Sequence, residues 1–289
     1  MNPLRCLPLA MLVAFLAIPA RAAESEKPAK ADQPFEVEVV KDVAYNGVKD
    51  ADPDKHKLDL YLPKGKKDFP VLFFVHGGTW KSGDRKTYVK LGEAFAEHGI
   101  GTVIISYRLS PKVQHPAHIQ DVAKAFAWTC DNIGKYGGRA DQIFCMGHSA
   151  GGHLVSLLAT DESYLKAEKH SFADIKGVIS ISGVYTIVPL GALATAFGRD
   201  AEVCKKASPI NNVCEKDPPF LIIYADGDFL TLDVMAENMA KALREVKCDV
   251  STLKVEKRTH ISIIVKMIED GDPTQQAVLD FIKKHTEKK

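Results

Sequence analysis

The sequence predicts an α/β domain with a doubly wound, mostly parallel sheet. Short and almost continuous apolar runs alternate along the chain with longer segments whose apolar residues recur at three- and four-residue spacing. Strands have such continuous apolar runs when helices cover both faces of a parallel sheet. Apolar residues make up 46% of the 289 positions, which is enough for a sizeable core. With no internal repeat visible, we expect one domain over residues 35–289.

The first 22 residues predict a secretory signal peptide. Arg5 precedes an apolar stretch, Cys6 to Ile18, and a small-residue cleavage site ends at Ala22. The stretch is too short to span a membrane as a mature helix, although a membrane anchor or an ordinary buried helix is the alternative interpretation. Residues 23–34 are rich in Lys, Glu, Ala and Pro and are typical of a flexible linker. A secreted or periplasmic location, without membrane anchoring after cleavage, is therefore expected.

Charge and composition exclude several classes of partner. Cleavage after Ala22 would remove two of the 38 basic residues and none of the 37 acidic ones, which leaves a net charge near −1. This balance argues against nucleic acid or an anionic membrane surface as a partner. No paired Cys or His spacing indicates zinc, and no Gly-rich phosphate loop is present, so we expect neither a metal nor another cofactor. The sequence does not determine the oligomeric state.

The predicted elements follow one another in a regular order. Alternating apolar residues over 35–40 and 58–62 predict two half-buried strands, which pair antiparallel at one edge of the sheet. Six buried strands should follow, at Val71–Val75, Gly101–Ser106, Gln142–Met146, Gly177–Ile181, Phe220–Tyr224 and Val250–Val255. Helices are expected at Tyr88–His98, Ile119–Ile133, Leu154–Ala159, Leu230–Val246 and Thr274–His285. Ligands of such sheets bind at the carboxyl ends of the strands.

Residues 184–213 are longer than a simple crossover and predict a small cap insertion over the site. Two cysteines, Cys204 and Cys214, lie in or next to this segment and flank a short polar loop. Five cysteines remain after cleavage, and this odd number cannot all pair within one chain. Spacing does not fix connectivity, so either a disulfide between Cys204 and Cys214 or two free thiols is compatible with the sequence. The other three are interpreted as core thiols, namely Cys130, Cys145 and Cys248.

Ser149 is the expected nucleophile. It lies in a Gly-x-Ser-x-Gly pattern at positions 147–151, directly after the apolar run 143–145 and before an apolar segment with the composition of a buried helix. A serine is presented at the top of a sheet when the chain turns sharply from strand to helix. Gly147 and Gly151 remove the Cβ atoms that would clash in that turn. Strand, turn and helix are the context that this short motif requires.

A second motif follows the strand at Val71–Val75. Gly77 and Gly78, in the segment His-Gly-Gly-Thr-Trp at 76–80, allow backbone N–H groups to point toward one ligand atom. Acyl transfer needs such donors where the carbonyl oxygen becomes an anion, and each contributes about 3 kcal/mol in the transition state. We expect an oxyanion hole from Gly77, Gly78 and the N–H of Ala150. The alternative is an ordinary tight turn.

The remaining catalytic groups should follow in chain order, first the acid and then the histidine. Two carboxylates, Asp226 and Asp228, lie just past the strand Phe220–Tyr224. Asp228 is the preferred acid, because Asp226 belongs to the turn itself and is expected to hydrogen-bond the loop. His260 lies beyond the last strand and ahead of the final helix, where the general base belongs.

Two further residues are candidates for substrate contact. His148 precedes the nucleophile, and Trp80 ends the glycine segment. For each there is a structural alternative, since His148 can shape the turn by local hydrogen bonds and Trp80 can pack in the core. Arg108 and Asp121 are expected to form a buried structural pair rather than a substrate clamp.

With these motifs, the chain resembles α/β-hydrolases of the esterase and lipase group. The segments at 76–80, 106–109 and 147–153 are similar to those of carboxylesterases related to bacterial feruloyl esterases and to kynurenine formamidase. The similarity extends from about Lys57 to the final helix, and it implies a triad of Ser149, Asp228 and His260. Thr79 stands where relatives of hormone-sensitive lipase have a third glycine, which weakens any transfer of their substrate range.

The expected function is that of a serine hydrolase that acts on a small-molecule carboxylic ester through an acyl-enzyme. An arylformamidase would use the same groups on an N-formyl amide, and a polysaccharide acetyl or feruloyl esterase would suit an exported protein. A catalytically inert binding protein of the same fold is the alternative from another class. Such proteins generally lose the serine, the histidine or the oxyanion glycines, whereas this chain has candidates for all three.

Overall fold

The strands form an eight-stranded sheet in the order β1-β2-β4-β3-β5-β6-β7-β8 in the computed structural model, which describes residues 33–47 and 51–287. β1 pairs antiparallel with β2, and β2 with β4, while every other neighbouring pair is parallel. The strands span Val37–Ala44, Lys57–Pro63, Phe69–Val75, Gly101–Ile105, Gly138–His148, Gly177–Ile181, Phe220–Gly227 and Val250–Thr259. The predicted doubly wound sheet with an antiparallel edge is confirmed. The predicted signal peptide lies outside the described residues.

Nine α-helices lie in the described part of the chain, numbered α1 to α9 in sequence order. They span Val89–Glu97, Ala117–Asn132, Ala150–Thr160, Ser163–Ala167, Gly191–Phe197, Ala201–Lys206, Leu232–Glu245, Ser262–Lys266 and Pro273–Thr286. The long helices agree with the predicted ones to within two or three residues at most ends. None of the helices in the described ranges has the length and apolar character needed to cross a membrane.

Successive strand residues point into two separate cores. Phe73 packs with residues of α2 and α3, such as Phe126, whereas its neighbour Phe74 packs with residues of α1 and α9, such as Phe95 and Phe281. Four of these phenylalanines are fully buried, namely Phe73, Phe74, Phe95 and Phe126. Because side chains alternate across a strand, a run such as Val71–Val75 can be apolar throughout only if both faces are covered. The two cores fix the position of the strand ends at which the site lies.

The insertion at 184–213 contains α5 and α6. Its Phe197 ring lies edge-on to Trp80, with 4.9 Å between ring centroids. The backbone N–H of His115 donates to Ala196 O of the insertion at 2.7 Å. His153 of α3 donates through Nε2 to Ala207 O at 2.8 Å, so the insertion is tied to the helix behind the nucleophile. Cys204 and Cys214 are free thiols, and the Cys214 Sγ lies 3.1 Å from Asp217 Oδ1. The disulfide considered above is therefore not formed.

Candidate active site

Ser149 occupies a sharp turn between β5 and α3. Its φ of 55° and ψ of −118° are unusual for a residue with a side chain, and such strain persists only where the surroundings impose it. The Ser149 N–H donates to Ile181 O at 2.9 Å, which fastens the turn to β6. A Cβ on Gly147 would lie 2.3 Å from Gly151 O, and one on Gly151 would lie 2.0 Å from Val75 O. Both glycines are therefore required by the close approach of backbone atoms.

His260 and Asp228 follow the ends of two adjacent strands, β8 and β7. The His260 Nδ1 lies 2.6 Å from Asp228 Oδ1, and the imidazole is almost fully buried. In this geometry the carboxylate can hold the ring in the tautomer that leaves Nε2 as the proton acceptor. The pairing of His260 with Asp228 agrees with the geometry expected of a general base and its orienting acid.

Ser182, which the sequence analysis did not single out, is a further partner of Asp228. Its hydroxyl donates to Asp228 Oδ2 at 2.5 Å, and its position directly after β6 brings it to the same end of the sheet. Burial disfavours ionisation of Asp228, but hydrogen bonds from His260 and Ser182 outweigh it and hold the pKa of this carboxyl below its usual value. The acid therefore stays ionised at neutral pH.

Asp226 has a different role. Its two carboxylate oxygens accept from the backbone N–H groups of Lys257 and Arg258, at 2.8 and 3.0 Å. These bonds join the end of β7 to the end of β8 and lower the pKa of Asp226. The residue lies at the surface and stabilises the strand pair that carries the acid and the histidine.

His148 is buried beside the histidine loop. Its Nε2 lies 2.8 Å from the backbone oxygen of His260, and burial, followed by the neighbouring His260, lowers the pKa of His148 to about 4. A neutral imidazole facing a carbonyl oxygen must carry its proton on that nitrogen, so His148 donates to the loop. It also lines the cavity described below. The structure thus gives His148 a positioning contact and leaves it within reach of a ligand.

The glycine segment after β3 lies directly against the nucleophile. A Cβ on Gly77 would lie 3.1 Å from Ser149 Cβ, and Gly78 has a φ of 115° with its own Cβ position only 2.3 Å from Ser82 O. The left-handed backbone continues through Thr79, whose φ is 53°. Ala150 is the first residue of α3, where backbone N–H groups lack partners within the helix. Gly77 and Ala150 thus lie directly beside Ser149, and Gly78 lines the same cavity.

Trp80 occupies the core position that the sequence analysis gave as the alternative to substrate contact. The side chain is 2% exposed and its ring meets His153 and Phe197 edge-on, at centroid distances of 5.1 and 4.9 Å. Among the described residues that line the cavity, Trp80 does not occur. The indole therefore packs between α3 and the insertion, which is the core alternative rather than substrate contact. No described residue of 184–213 is among those that line the cavity either.

The cavity above Ser149 has a volume of about 570 Å³. Ser149, His260, Gly77 and Gly78, which we call its base, line it together with residues of segments 87–91 and 261–268, which we call its walls. The described residues that line it are Gly77, Gly78, Thr79, Gly83, Thr87, Tyr88, Lys90, Leu91, His148, Ser149, Phe229, His260, Ile261, Ile264, Val265 and Ile268. The volume falls within the range of about 300–1,000 Å³ of small-molecule sites.

Phe229 is a second residue that the sequence did not reveal. Its ring stacks on the imidazole of His260 with 4.2 Å between centroids, although the side chain is 61% exposed. An aromatic face next to a ring that becomes positively charged stabilises that charge by about 0.5–1 kcal/mol at exposed sites. The signal available in the sequence was only its place directly after Asp228.

The strand order, the strained serine turn and the acid–histidine pair at adjacent strand ends define an α/β-hydrolase. Two solved structures share this fold across most of the chain, each at 21% sequence identity. A truncated carbohydrate esterase from gut microbiota has a TM-score of 0.75 and covers 89% of this chain and 99% of its own. Inhibited esterase B from Lactobacillus rhamnosis has a TM-score of 0.74 and covers 89% and 90%. The chain belongs to the BD-FAE family, whose profile matches residues 58–243.

Curated relatives are named as esterases. A probable isoprenylcysteine alpha-carbonyl methylesterase of Oryza sativa is 28% identical over 80% of this chain, and esterase LipC of Mycobacterium tuberculosis is 33% identical over 65% of it. These matches take in 60% and 52% of the relatives' own lengths, so the chain spans little more than half of each. The predicted resemblance to esterases of the α/β-hydrolase fold is confirmed.

Proposed function

We propose that this protein hydrolyses carboxylic esters, with Ser149 as nucleophile, His260 as general base and Asp228 as the acid that orients it. The observation that carries the proposal is the 2.6 Å contact between His260 Nδ1 and Asp228 Oδ1, at the base of the cavity that also holds Ser149. The esterase names of the relatives support the same reaction class. Gly77, Gly78 and Ala150 complete the proposal as donors to the oxyanion.

In the proposed reaction, the Ser149 hydroxyl attacks the ester carbonyl carbon while His260 Nε2 takes its proton. The carbonyl oxygen becomes an anion and accepts hydrogen bonds from the backbone N–H groups beside Ser149. His260 then gives the proton to the leaving alcohol oxygen, which breaks the C–O bond and leaves an acyl-serine. Water attacks this acyl group with His260 again as base, releasing the carboxylic acid and restoring Ser149.

The proposal is tested by replacement of Ser149. We expect the protein to hydrolyse 4-nitrophenyl acetate and to be labelled by a serine-directed phosphonate. Ser149→Ala should lower kcat by at least about 1,000-fold and abolish labelling, because no other hydroxyl occupies the turn. Ser208→Ala is the control, since Ser208 is also buried but its hydroxyl donates to Cys204 O and accepts from Ile187 N–H instead.

Unchanged turnover in Ser149→Ala would reject this nucleophile. A folded wild-type protein with neither turnover nor labelling would favour a binding protein of the same fold. Faster turnover of an N-formyl aromatic amine than of any ester would reassign the reaction to an arylformamidase.

We also propose that the protein is secreted or periplasmic, on the strength of the apolar stretch Cys6 to Ile18 and the cleavage site at Ala22. The measurement is the amino-terminal sequence of the product recovered from the periplasm or medium of a bacterial host. Retention of residues 1–22 in the cytoplasm would contradict export.

A further inference from the structure

The lining of the active-site cavity is largely apolar. It includes Leu91 of α1 and four residues in and around α8, namely Ile261, Ile264, Val265 and Ile268. Leu91 and Ile264 belong to the core beneath, so the cavity opens directly onto a packed apolar surface. Three of the residues that line it are also exposed large apolar side chains: Phe229 at 61%, Ile261 at 56% and Val265 at 58%. The apolar surface thus continues from the base of the cavity to its rim.

Charged groups are scarce in this cavity. Among the described lining residues, Lys90 is the only lysine, arginine, aspartate or glutamate, and its ammonium lies 2.7 Å from Glu93 Oε2. Of the other polar side chains that line it, Thr79, Thr87 and Tyr88 offer hydroxyl groups, whereas the lining residues in and around α8 are all apolar. A sugar placed against that side would lose hydrogen bonds of its hydroxyl groups to water without finding replacements, which is unfavourable.

The size of the cavity excludes a good fit to the smallest acyl groups. A cavity of about 150 Å³ is large enough for benzene, whereas this one has about 570 Å³. A formyl or acetyl group would leave most of the apolar wall in contact with water. An apolar chain would instead remove that wall from water, and each buried methylene group is worth roughly four-fold in binding.

From this geometry we infer that the substrate is an ester with an extended apolar chain, which lies between α1 and α8 over Leu91, Ile264 and Val265. The inference rests on the proposed ester hydrolysis and names its substrate class. It sets aside both N-formyl amides and acetylated polysaccharides as preferred substrates. The chain belongs to either the acyl or the alcohol part of the ester, and the two parts are separated by experiment.

The test compares two ester series at concentrations below micelle formation. In the first, the acyl group of a 4-nitrophenyl ester grows from acetate to octanoate; in the second, the alcohol of an alkyl acetate grows from ethyl to hexyl. We expect kcat/KM to rise at least about 10-fold between acetate and hexanoate, or between the ethyl and hexyl esters. Acetylated xylan should be a poor substrate beside the favoured series.

Two valine variants test whether the preference for long-chain esters depends on the cavity wall. Val265→Asp places a carboxylate where the chain would lie, and should reduce the ratio of long-chain to short-chain kcat/KM at least about 10-fold. Val234→Asp is the matched control, because Val234 has nearly the same exposure, 56%, but does not line the cavity. This control should leave the ratio unchanged.

Failure of this inference is distinct from failure of the proposed function. Ser149-dependent turnover with flat chain-length profiles in both series, or a preference for acetylated xylan, overturns the inference and leaves ester hydrolysis standing. An equal loss of chain preference in Val234→Asp also overturns the assignment of the chain to this wall. Absence of Ser149-dependent turnover on every ester rejects the proposed function itself.

Discussion

At the scale of single residues, two neighbouring carboxylates differ through their partners. Asp228 faces His260 and Ser182, while Asp226 accepts only backbone N–H groups of Lys257 and Arg258. The sequence placed both in one turn, and spacing alone could not separate them. Their separation comes from the turn at the end of β7, which directs one carboxylate inward and leaves the other at the surface.

Replacing each of these aspartates by asparagine should therefore give unequal results. Asp228→Asn is expected to lower kcat on 4-nitrophenyl acetate by about 1,000- to 10,000-fold, because the amide no longer holds His260 in the tautomer that accepts a proton. Asp226→Asn keeps an oxygen acceptor and should lower the unfolding free energy only slightly, with kcat nearly unchanged. Steady-state kinetics and urea titration measure both effects. The reverse ranking of kcat would assign the acid to Asp226.

At the scale of elements, apolar periodicity predicted the sheet and the long helices. Strands buried on both faces need continuous apolar runs, and helices buried on one face need apolar residues at three- and four-residue spacing. The order Ser149, Asp228, His260 was available for the same reason, since each residue immediately follows a strand. Phe229 and Ser182 were missed because their roles depend on contacts between loops distant in sequence. Trp80 was open to two interpretations, and the packing of Phe197 from the insertion against it decides between them.

The turn between β5 and α3 gives a prediction at this scale. Gly151→Ala should destabilise the fold by about 3 kcal/mol or more, because the new Cβ would lie 2.0 Å from Val75 O of the neighbouring strand. Gly134→Ala is the matched control, as a Cβ there meets nothing within 4 Å. Its unfolding free energy should stay within about 1 kcal/mol of the wild type. Similar urea midpoints for the two variants would contradict the steric argument.

At the scale of the whole molecule, five histidines with lowered pKa values make stability dependent on pH. Burial is the main cause in each, and it lowers the pKa of His76, His115, His118 and His148 to about 4 and that of His153 to about 3. In the unfolded chain these groups titrate near 6.5, so the unfolded state binds protons first as the pH falls. The stability present above pH 6.5 is lost as the pH falls toward 4. Asp217 opposes this, since burial raises its pKa to about 6.

We therefore expect the unfolding free energy to be at least about 3 kcal/mol lower at pH 4.5 than at pH 7.5, because five histidines outweigh one aspartate in that interval. Urea titrations at the two pH values measure the difference. Equal stability at both would show that the histidines are not held neutral in the folded protein.

The sheet has two edges, and the second of them is β8, which pairs only with β7. His260 follows this strand directly, so the position of the proposed general base depends on a strand that is hydrogen-bonded to a neighbouring strand on one side. Edge strands open locally at a lower free energy than the central strands of a sheet. We therefore expect local opening of β8, which hydrogen exchange at its amides measures, to displace His260 while the two cores remain folded.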